Sequence, residues 1–291
     1  MRSIVTGTGS GSSPRTPIAS WYRGTIHSLI RALAAALVLM TTAAFAESQK
    51  EEPQQIDASD PTRIVTFIGA GPKTTRYTDG SRINEARVTA TIGLGAKDMI
   101  IAGAGYGRNT ADKENGLTNM QIRHFHLFEM DNTIKKGYRG WGSSIEINLA
   151  GSLRGMDGQN LVAVGASPAF ALGNDWQLYP IVMMVNSWDK RFGQYNGGGV
   201  NLSPMLAKTL DWWDGAFVTF WPQYNRFFWG NLDGEGGGQL QVTLGGRFTP
   251  TLIWRLQGFT MFNKYFQGYK NEIGFAPRPQ YSAFFRLESY F

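Results

Sequence analysis

The sequence contains no cysteine and only three histidines among its 291 residues. The absence of cysteine excludes disulfides, thiolate metal sites and a lipoprotein anchor. Beyond residue 46 the chain also lacks an apolar run of about 18 residues, the length that a transmembrane helix needs. Two residue types are plentiful, namely glycine, with 36 residues, and the aromatic residues, at 13%. This mixture is typical of many short strands that have one apolar face and one wet face.

The beginning of the chain has the pattern of a secretory signal peptide. Arg23 and Arg31 precede the apolar segment 32–46, which ends in the small-x-small sequence AFA and is followed by a polar stretch. A buried N-terminal helix is the less favoured interpretation of this segment. We therefore predict three segments: a signal peptide over 1–46, a flexible periplasmic leader over 47–61 and one folded domain over 62–291.

Most of the net positive charge belongs to the predicted signal peptide. The whole chain has 28 basic and 22 acidic residues, a net charge of +6. Four arginines and no acidic residue lie in 1–46, which leaves 24 basic and 22 acidic residues and a net charge of +2. No basic cluster stands out in the remainder, so we expect no nucleic-acid partner.

Alternation of apolar and polar residues predicts strands along the folded domain. Leu240, Val242 and Leu244, for example, alternate with glutamine and threonine. The predicted strands are 62–78, 83–95, 98–109, 117–130, 137–153, 160–173, 175–190, 199–209, 215–229, 238–249, 251–266 and 280–291. Four prolines fall inside these strands, where each removes a ladder hydrogen bond, and we expect β-bulges there; they are Pro168, Pro180, Pro204 and Pro222.

The lengths of the connections indicate how these strands are arranged. Tight turns alternate with longer loops that are rich in glycine or charge, as in outer-membrane barrels, whereas a soluble sandwich has no reason to sort its loops in this way. The larger aromatic residues also gather near the two ends of the predicted strands, as two membrane interfaces require. The sequence therefore predicts an all-β fold, a single closed antiparallel transmembrane β-barrel of about 12 strands.

The last strand resembles the C-terminal strand of Gram-negative outer-membrane β-barrels. Tyr281, Phe285, Leu287 and Phe291 share one face, and Ser289 is the only departure from the apolar pattern. The resemblance implies that Phe291 is an assembly signal for the barrel-assembly machinery. It also implies a location in the bacterial outer membrane, in contact with its lipid. An even number of strands would place both termini in the periplasm.

In size and strand number the chain resembles small porin-like transporter barrels, such as the phenol-degradation-pathway channel family or the twelve-stranded nucleoside channels. These resemblances imply an outer-membrane channel for passive or facilitated passage of a small solute, with no cofactor. A lipid-modifying hydrolase and a sealed structural barrel are the alternatives. Nothing in the sequence identifies the solute or the oligomeric state.

The lumen-facing residues are the candidates for selectivity, because Arg or Lys on the lipid face would cost about 2–4 kcal/mol at mid-membrane. Alternate residues of a strand face the same side, and the polar sides of the predicted strands give the candidates Glu85, Arg87, Glu146, Asn148, Arg247, Arg255, Arg286 and Glu288. Three of them, Arg247, Arg255 and Arg286, lie on consecutive strands. They form either a basic ladder that favours anions or the cationic halves of Arg–Glu pairs that fill the lumen.

The hydrolase alternative depends on His124 and His126, which lie two residues apart on one predicted strand, with Ser143, Ser144 and Glu146 on the next. A hydrolase needs a nucleophile within hydrogen-bond reach of a base. Outer-membrane phospholipases carry His-x-Ser on one strand, and here the second position is histidine instead of serine. The two histidines could share a metal, but the sequence shows no third ligand. We therefore predict no enzymatic activity and no metal site.

Overall fold

The computed structural model describes residues 58–153, 159–262 and 279–291. The strands in this part of the chain are β1 Phe67–Tyr77, β2 Arg82–Leu94, β3 Asp98–Asn109, β4 Asn115–Met130, β5 Gly137–Ala150, β6 Asn160–Gly173, β7 Trp176–Trp188, β8 Tyr195–Leu210, β9 Ala216–Gly230, β10 Gly236–Thr249, β11 Leu252–Phe262 and β12 Pro279–Tyr290. Each predicted strand overlaps one observed strand, which confirms the all-β fold and the strand number. No helix in these residues is long and apolar enough to cross a membrane.

The twelve strands close into one antiparallel barrel. Each strand pairs with its neighbours in sequence, and β1 pairs with β12. Gly71 in β1 allows this last pairing, since a Cβ atom at that position would lie only 1.9 Å from the carbonyl oxygen of Phe285 in β12. The predicted closed barrel is therefore confirmed.

The two faces of the barrel wall differ as the period-two pattern predicts. In β12, Arg286 and Glu288 are buried on the inside, whereas Tyr281, Phe285 and Leu287 are 40–50% exposed on the outside. The outward faces of the other strands are also mostly apolar, and the buried polar residues point inward. The core of the molecule is therefore a polar lumen, and its apolar surface faces outward.

The two ends of the barrel differ in their connections. We call the end where β1 begins and β12 ends the terminal end; its turns are 95–97, 131–136, 174–175, 211–215 and 250–251. We call the other the loop end; its connections are 78–81, 110–114, 151–159, 189–194, 231–235 and 263–278. The two-residue turn of Asn174 and Asp175 has φ of 50° and 61°, the left-handed conformation that fits tight hairpins.

Exposed aromatic side chains lie at both ends, as predicted. Trp212 and Trp213 are 58% and 45% exposed near the terminal end. Tyr106 and Trp229 are 61% and 44% exposed near the loop end. Tyr265, also expected there, lies outside the described residues. The two groups lie where a membrane-spanning barrel carries its two belts of aromatic side chains, one at each membrane interface.

The first strand begins five residues later than predicted because the chain ahead of it lies inside the barrel. Asp60, within the predicted leader, is only 5% exposed. Its carboxylate accepts hydrogen bonds from Arg139 Nη2 and Tyr179 Oη, both at 2.8 Å. In the segment 58–65, all residues except Ile64 also contribute to the lining of the lumen. This segment, which we call the inner segment, narrows the terminal end of the barrel.

The four strand prolines interrupt pairing without causing bulges, so the bulge prediction is wrong. The β6–β7 ladder stops at the pair Ala166–Val182 and resumes in the same register at Phe170–Leu178. The β8–β9 ladder is interrupted in the same way between Leu202 and Leu206. A proline has no N–H to donate, and here the neighbouring strand stays in register across the missing bonds. The observed bulges lie elsewhere, for example between Gly105 and Tyr106 of β3.

Candidate functional site

The candidate site is the barrel lumen. It contains a cavity of about 680 Å³ lined by residues from all twelve strands and by the inner segment. Part of the lining is neutral and polar, and six glutamines take part: Gln121, Gln159, Gln223, Gln239, Gln241 and Gln257. Aromatic rings also line the cavity, among them Phe125, Trp221, Phe259 and Phe284. Such a lining offers hydrogen bonds and apolar contacts to a small molecule.

A first ion cluster joins β1 and β2. Lys73 Nζ lies 3.1 Å from Glu85 Oε1, and Arg87 Nη1 lies 3.8 Å from the same oxygen. Arg87 Nη1 also donates to Asn119 Oδ1 at 2.5 Å. Since Lys73 and Glu85 are opposite each other in the register, strand pairing brings these charges together. The cluster has two cations and one carboxylate.

A second ion cluster joins β11 and β12. Glu288, with no exposed surface, lies between two arginines. Its Oε1 is 2.5 Å from Arg286 Nη2, and its Oε2 accepts from Arg255 Nε at 2.8 Å and from Tyr290 Oη at 2.7 Å. Arg255 Nη2 also donates to the backbone oxygen of Ala58 in the inner segment, at 3.2 Å. This cluster likewise has two cations and one carboxylate.

A third cluster on β4 and β5 is neutral. Arg123 Nη2 forms a short ion pair with Glu146 Oε2. Oε1 of Glu146 accepts from Gln121 Nε2 at 2.9 Å and from Asn148 Nδ2 at 2.5 Å. The Arg123 guanidinium also lies 5.9 Å from the centre of the Trp221 ring, close enough for a cation–π contact.

The structure brings together two of the three arginines predicted to form a ladder. Arg255 and Arg286 are opposite each other in the β11–β12 register and share Glu288. Arg247 instead pairs with Asp214 in the turn 211–215, 3.1 Å away, and is not among the residues that line the cavity. The cavity lining does include Glu85, Arg87, Glu146, Asn148, Arg255 and Arg286.

The contact between the inner segment and the wall is centred on Asp60. Burial alone would raise the pKa of this carboxyl group, but Arg139, Thr62 and Tyr179 outweigh burial and hold its pKa below the ordinary value of 3.8. Both the backbone N–H and the hydroxyl of Thr62 donate to Asp60 Oδ1. Asp60 is therefore a buried, charged anchor that fixes the inner segment to the wall.

Several lumen residues escaped the sequence analysis. Lys73 and Arg123 line the cavity, and neither is among the lumen residues predicted from the sequence. The available signal was the two-residue period, because Lys73 shares a strand face with the polar Thr75 and Arg123 shares one with the polar Gln121. The Asp60–Arg139 pair had no comparable signal, since the two residues are far apart in the chain and meet only through the closed barrel.

The two histidines lie on the outer face of β4. Nε2 of His124 and Nδ1 of His126 lie 2.9 Å and 2.8 Å from the same oxygen, Oδ1 of Asp98. Phe128 packs edge-on against His126 and stacks on Trp141. No group of three or more His, Cys, Asp or Glu side chains in the described residues is arranged to hold a metal. These residues do not face the cavity.

No protein-family model matches the sequence, and no curated protein matches it either. Among solved structures, the fold is similar to that of the COG4313 outer membrane channel from Pseudomonas putida F1, at 11% identity and a TM-score of 0.51, over 83% of this chain and 100% of that chain. The transport unit of the autotransporter AIDA-I from Escherichia coli matches at 10% identity and a TM-score of 0.40, over 86% of this chain and 97% of that one. The beta domain of the Bordetella autotransporter Brka matches at 10% identity and a TM-score of 0.41, over 78% and 99% of the two chains.

At these identities the similarity concerns the fold. The chain has the fold of an outer-membrane β-barrel, as its closed twelve-strand sheet and the similarity to the Pseudomonas channel show.

Proposed function

We propose that this protein is an outer-membrane channel for passive or facilitated passage of a small solute. One observation carries the proposal: a cavity of about 680 Å³, with both polar and apolar lining, lies inside the closed barrel and is lined from every strand. The resemblance to a solved outer-membrane channel supports the same function.

The test is single-channel recording of the refolded protein, residues 47–291, in a planar bilayer. Discrete conductance steps are expected, because the cavity has room for water and ions and charged side chains line it. Heat-modifiable migration in gel electrophoresis would verify folding in the same sample. A folded barrel without conductance steps would contradict the channel function and favour the sealed barrel.

We also propose that the terminal end faces the periplasm. The terminal end carries the shorter turns and the loop end the longer connections. Outer-membrane barrels have their short turns on the periplasmic side and their longer loops on the outside. Phe291 would then lie at the periplasmic side, where the barrel-assembly machinery acts, and its backbone N–H donates to the Thr66 oxygen at 3.0 Å. Deletion of Phe291 should lower the amount of barrel assembled in cells without lowering refolding in detergent. Equal assembly with and without Phe291 would contradict its signal role.

A hydrolase on the outer face is the second candidate, favoured by one observation. Asp98, His126 and Ser143 are successive partners in the registers of β3, β4 and β5, so that they form an Asp–His–Ser row. His126 Nδ1 is 2.8 Å from Asp98 Oδ1, as in a base oriented by a carboxylate. The structure records no hydrogen bond between Ser143 and His126 among the described residues, which leaves the nucleophile without its base and ranks this function second.

Phospholipid vesicles provide the test of the hydrolase. Release of fatty acid by the refolded barrel, lost in the variant Ser143→Ala and kept in Ser144→Ala, would establish it. Ser144 is the matched control because it is the adjacent residue and points inward. Equal fatty-acid release in buffer, wild type and Ser143→Ala would exclude this activity.

A further inference from the structure

Three inward arginines lie in one row of the barrel's hydrogen-bond register. Arg255 in β11 is opposite Arg286 in β12, and Arg87 in β2 is opposite Gly71 in β1. The β1–β12 pairing brings Gly71 beside Arg286, because a Cβ atom on Gly71 would lie 3.0 Å from the Cα of that arginine. We call these three residues the arginine row. Directly opposed residues share a face, so all three side chains enter the lumen.

Glycines beside this row leave space for the guanidinium groups. A Cβ atom at Gly69 would lie 3.1 Å from Cδ of Arg286, and one at Gly103 would lie 3.5 Å from Nη2 of Arg87. Each arginine therefore extends along the wall past a glycine of the neighbouring strand, where no side chain takes up the space. Arg286 reaches Thr89, and Arg87 reaches Asn119.

The charges around the row do not balance. The first and second ion clusters together contain four cations, Lys73, Arg87, Arg255 and Arg286, and only two carboxylates, Glu85 and Glu288. The side chains of Arg87 and Arg286 are only 10% and 11% exposed. A cation with so little water around it gains most from an anion close by.

Donor groups remain for such an anion. Nη2 of Arg87 has no hydrogen-bond acceptor among the described residues, whereas the unpaired Nε of Arg286 is enclosed by the protein, so that Arg286 contributes its positive charge. Both side chains line the cavity. The guanidinium fork matches a carboxylate in geometry, with two parallel N–H···O bonds.

The surroundings of the row favour an organic anion over an inorganic one. The Phe284 ring lies 5.4 Å from the Arg286 guanidinium carbon, and the Phe259 ring lies 5.8 Å from Lys73 Nζ. Both rings line the cavity and offer an apolar surface next to the cations. A molecule with one carboxylate and a small apolar body would use both features.

We infer that Arg87 and Arg286 form a lumenal binding site for the carboxylate of a small organic anion, and that Phe284 and Phe259 contact its apolar part. This inference rests on the proposed channel function and specifies the class of solute. It differs from the predicted ladder, because Arg87 takes the place of Arg247.

Calorimetric titration of the refolded barrel in detergent at low salt tests the site. The probes are benzoate and benzamide, which share the ring and differ in charge, and inorganic phosphate. Benzoate should bind. Benzamide should bind about tenfold or more weakly, because it lacks the charge-assisted contact, and phosphate should bind about tenfold or more weakly, because it lacks the apolar contact. Equal binding of benzoate and benzamide, or tighter binding of phosphate, would overturn the assignment.

Matched variants locate the site. Arg87→Gln and Arg286→Gln each leave the neighbouring carboxylate with one cation, Lys73 for Glu85 and Arg255 for Glu288. Each should weaken benzoate binding about tenfold or more. Arg226→Gln removes the same charge from an exposed residue of β9 outside the cavity lining and should bind like wild type. Equal losses in all three variants would show that net charge, and not this site, binds the anion.

The calorimetric readout is independent of conduction. A variant that fails to fold is recognised by the loss of heat-modifiable migration. In that case the binding of benzoate, benzamide and phosphate to the wild-type barrel still decides whether the lumen binds an organic anion. Benzoate binding by a barrel that shows no conductance would overturn the channel function and keep the site. Conductance together with equal binding of benzoate and benzamide would support the channel function and overturn the binding site.

Discussion

The carboxylate of Asp60, ahead of the first strand, lies 2.8 Å from Nη2 of Arg139 in β5, and both side chains are almost completely buried. This pair fixes the inner segment across the terminal end of the lumen. Arg139 and Tyr179 belong to the wall, whereas Asp60 belongs to a segment that is not part of a strand. A small number of polar contacts therefore holds this segment in place.

Replacing Asp60 by Asn should loosen the inner segment and raise single-channel conductance. The amide removes the buried carboxylate and leaves Arg139 without its charged partner, a change that costs about 3–5 kcal/mol when the charge is fully buried. Asp79→Asn is the control, since Asp79 lies in a connection at the loop end and, within the described part of the chain, its side chain bonds only to the nearby Ser81. Unchanged conductance in Asp60→Asn would mean that the inner segment does not narrow the path.

Acid should have the same effect on the wild-type protein. The pKa of Asp60 is lowered in the folded state, so the stabilisation from this group is present above the ordinary pKa of 3.8 and is lost as the pH falls through the folded value. Conductance should therefore rise below about pH 4. The groups that face Asp60 are Arg63, Arg139, Tyr179 and Thr62, so Asp60 is the carboxyl group of this contact. A rise of the same size in Asp60→Asn would assign the effect to other carboxyl groups.

Replacing Glu288 by Gln should destabilise the barrel by about 3–5 kcal/mol, because Arg255 and Arg286 would share a buried site without a carboxylate. The free energy of unfolding is measured by urea titration in detergent, followed by tryptophan fluorescence. Asp214→Asn breaks the Arg247 pair at a carboxylate whose side chain is 66% exposed, and should cost less than about 1 kcal/mol. Similar losses in the two variants would contradict the buried role of Glu288.

Replacing Gly71 by Ala should hinder closure of the barrel. The new methyl group would lie 1.9 Å from the carbonyl oxygen of Phe285, so β1 and β12 would have to separate. We expect a loss of stability of at least about 1–3 kcal/mol and a lower yield of refolded barrel. Gly258→Ala in β11 introduces a methyl group with no atom within 4 Å and should change stability by less than about 0.5 kcal/mol. A normal refolding yield for Gly71→Ala would show that the β1–β12 seam is wider than the structure indicates.

The sequence alone determined the fold, because the information for it is local. Strand periodicity, turn residues and the alternation of short and long connections each depend on residues close together in the chain, and together they predicted twelve strands and the outward face of Phe285 and Leu287. The same parity assigned Glu85, Arg87, Arg286 and Glu288 to the inside, where the structure has them.

Only the tertiary structure decided how these inward groups combine. Which arginine meets which carboxylate depends on the register between strands and on the closure of β1 with β12, and neither leaves a signal in the local pattern. For this reason the sequence suggested either a ladder of Arg247, Arg255 and Arg286 or separate Arg–Glu pairs, whereas the closed barrel places Arg87 in the row with Arg255 and Arg286. The buried position of Asp60 has the same cause, since its partners Arg139 and Tyr179 come within reach only when the barrel closes around the inner segment.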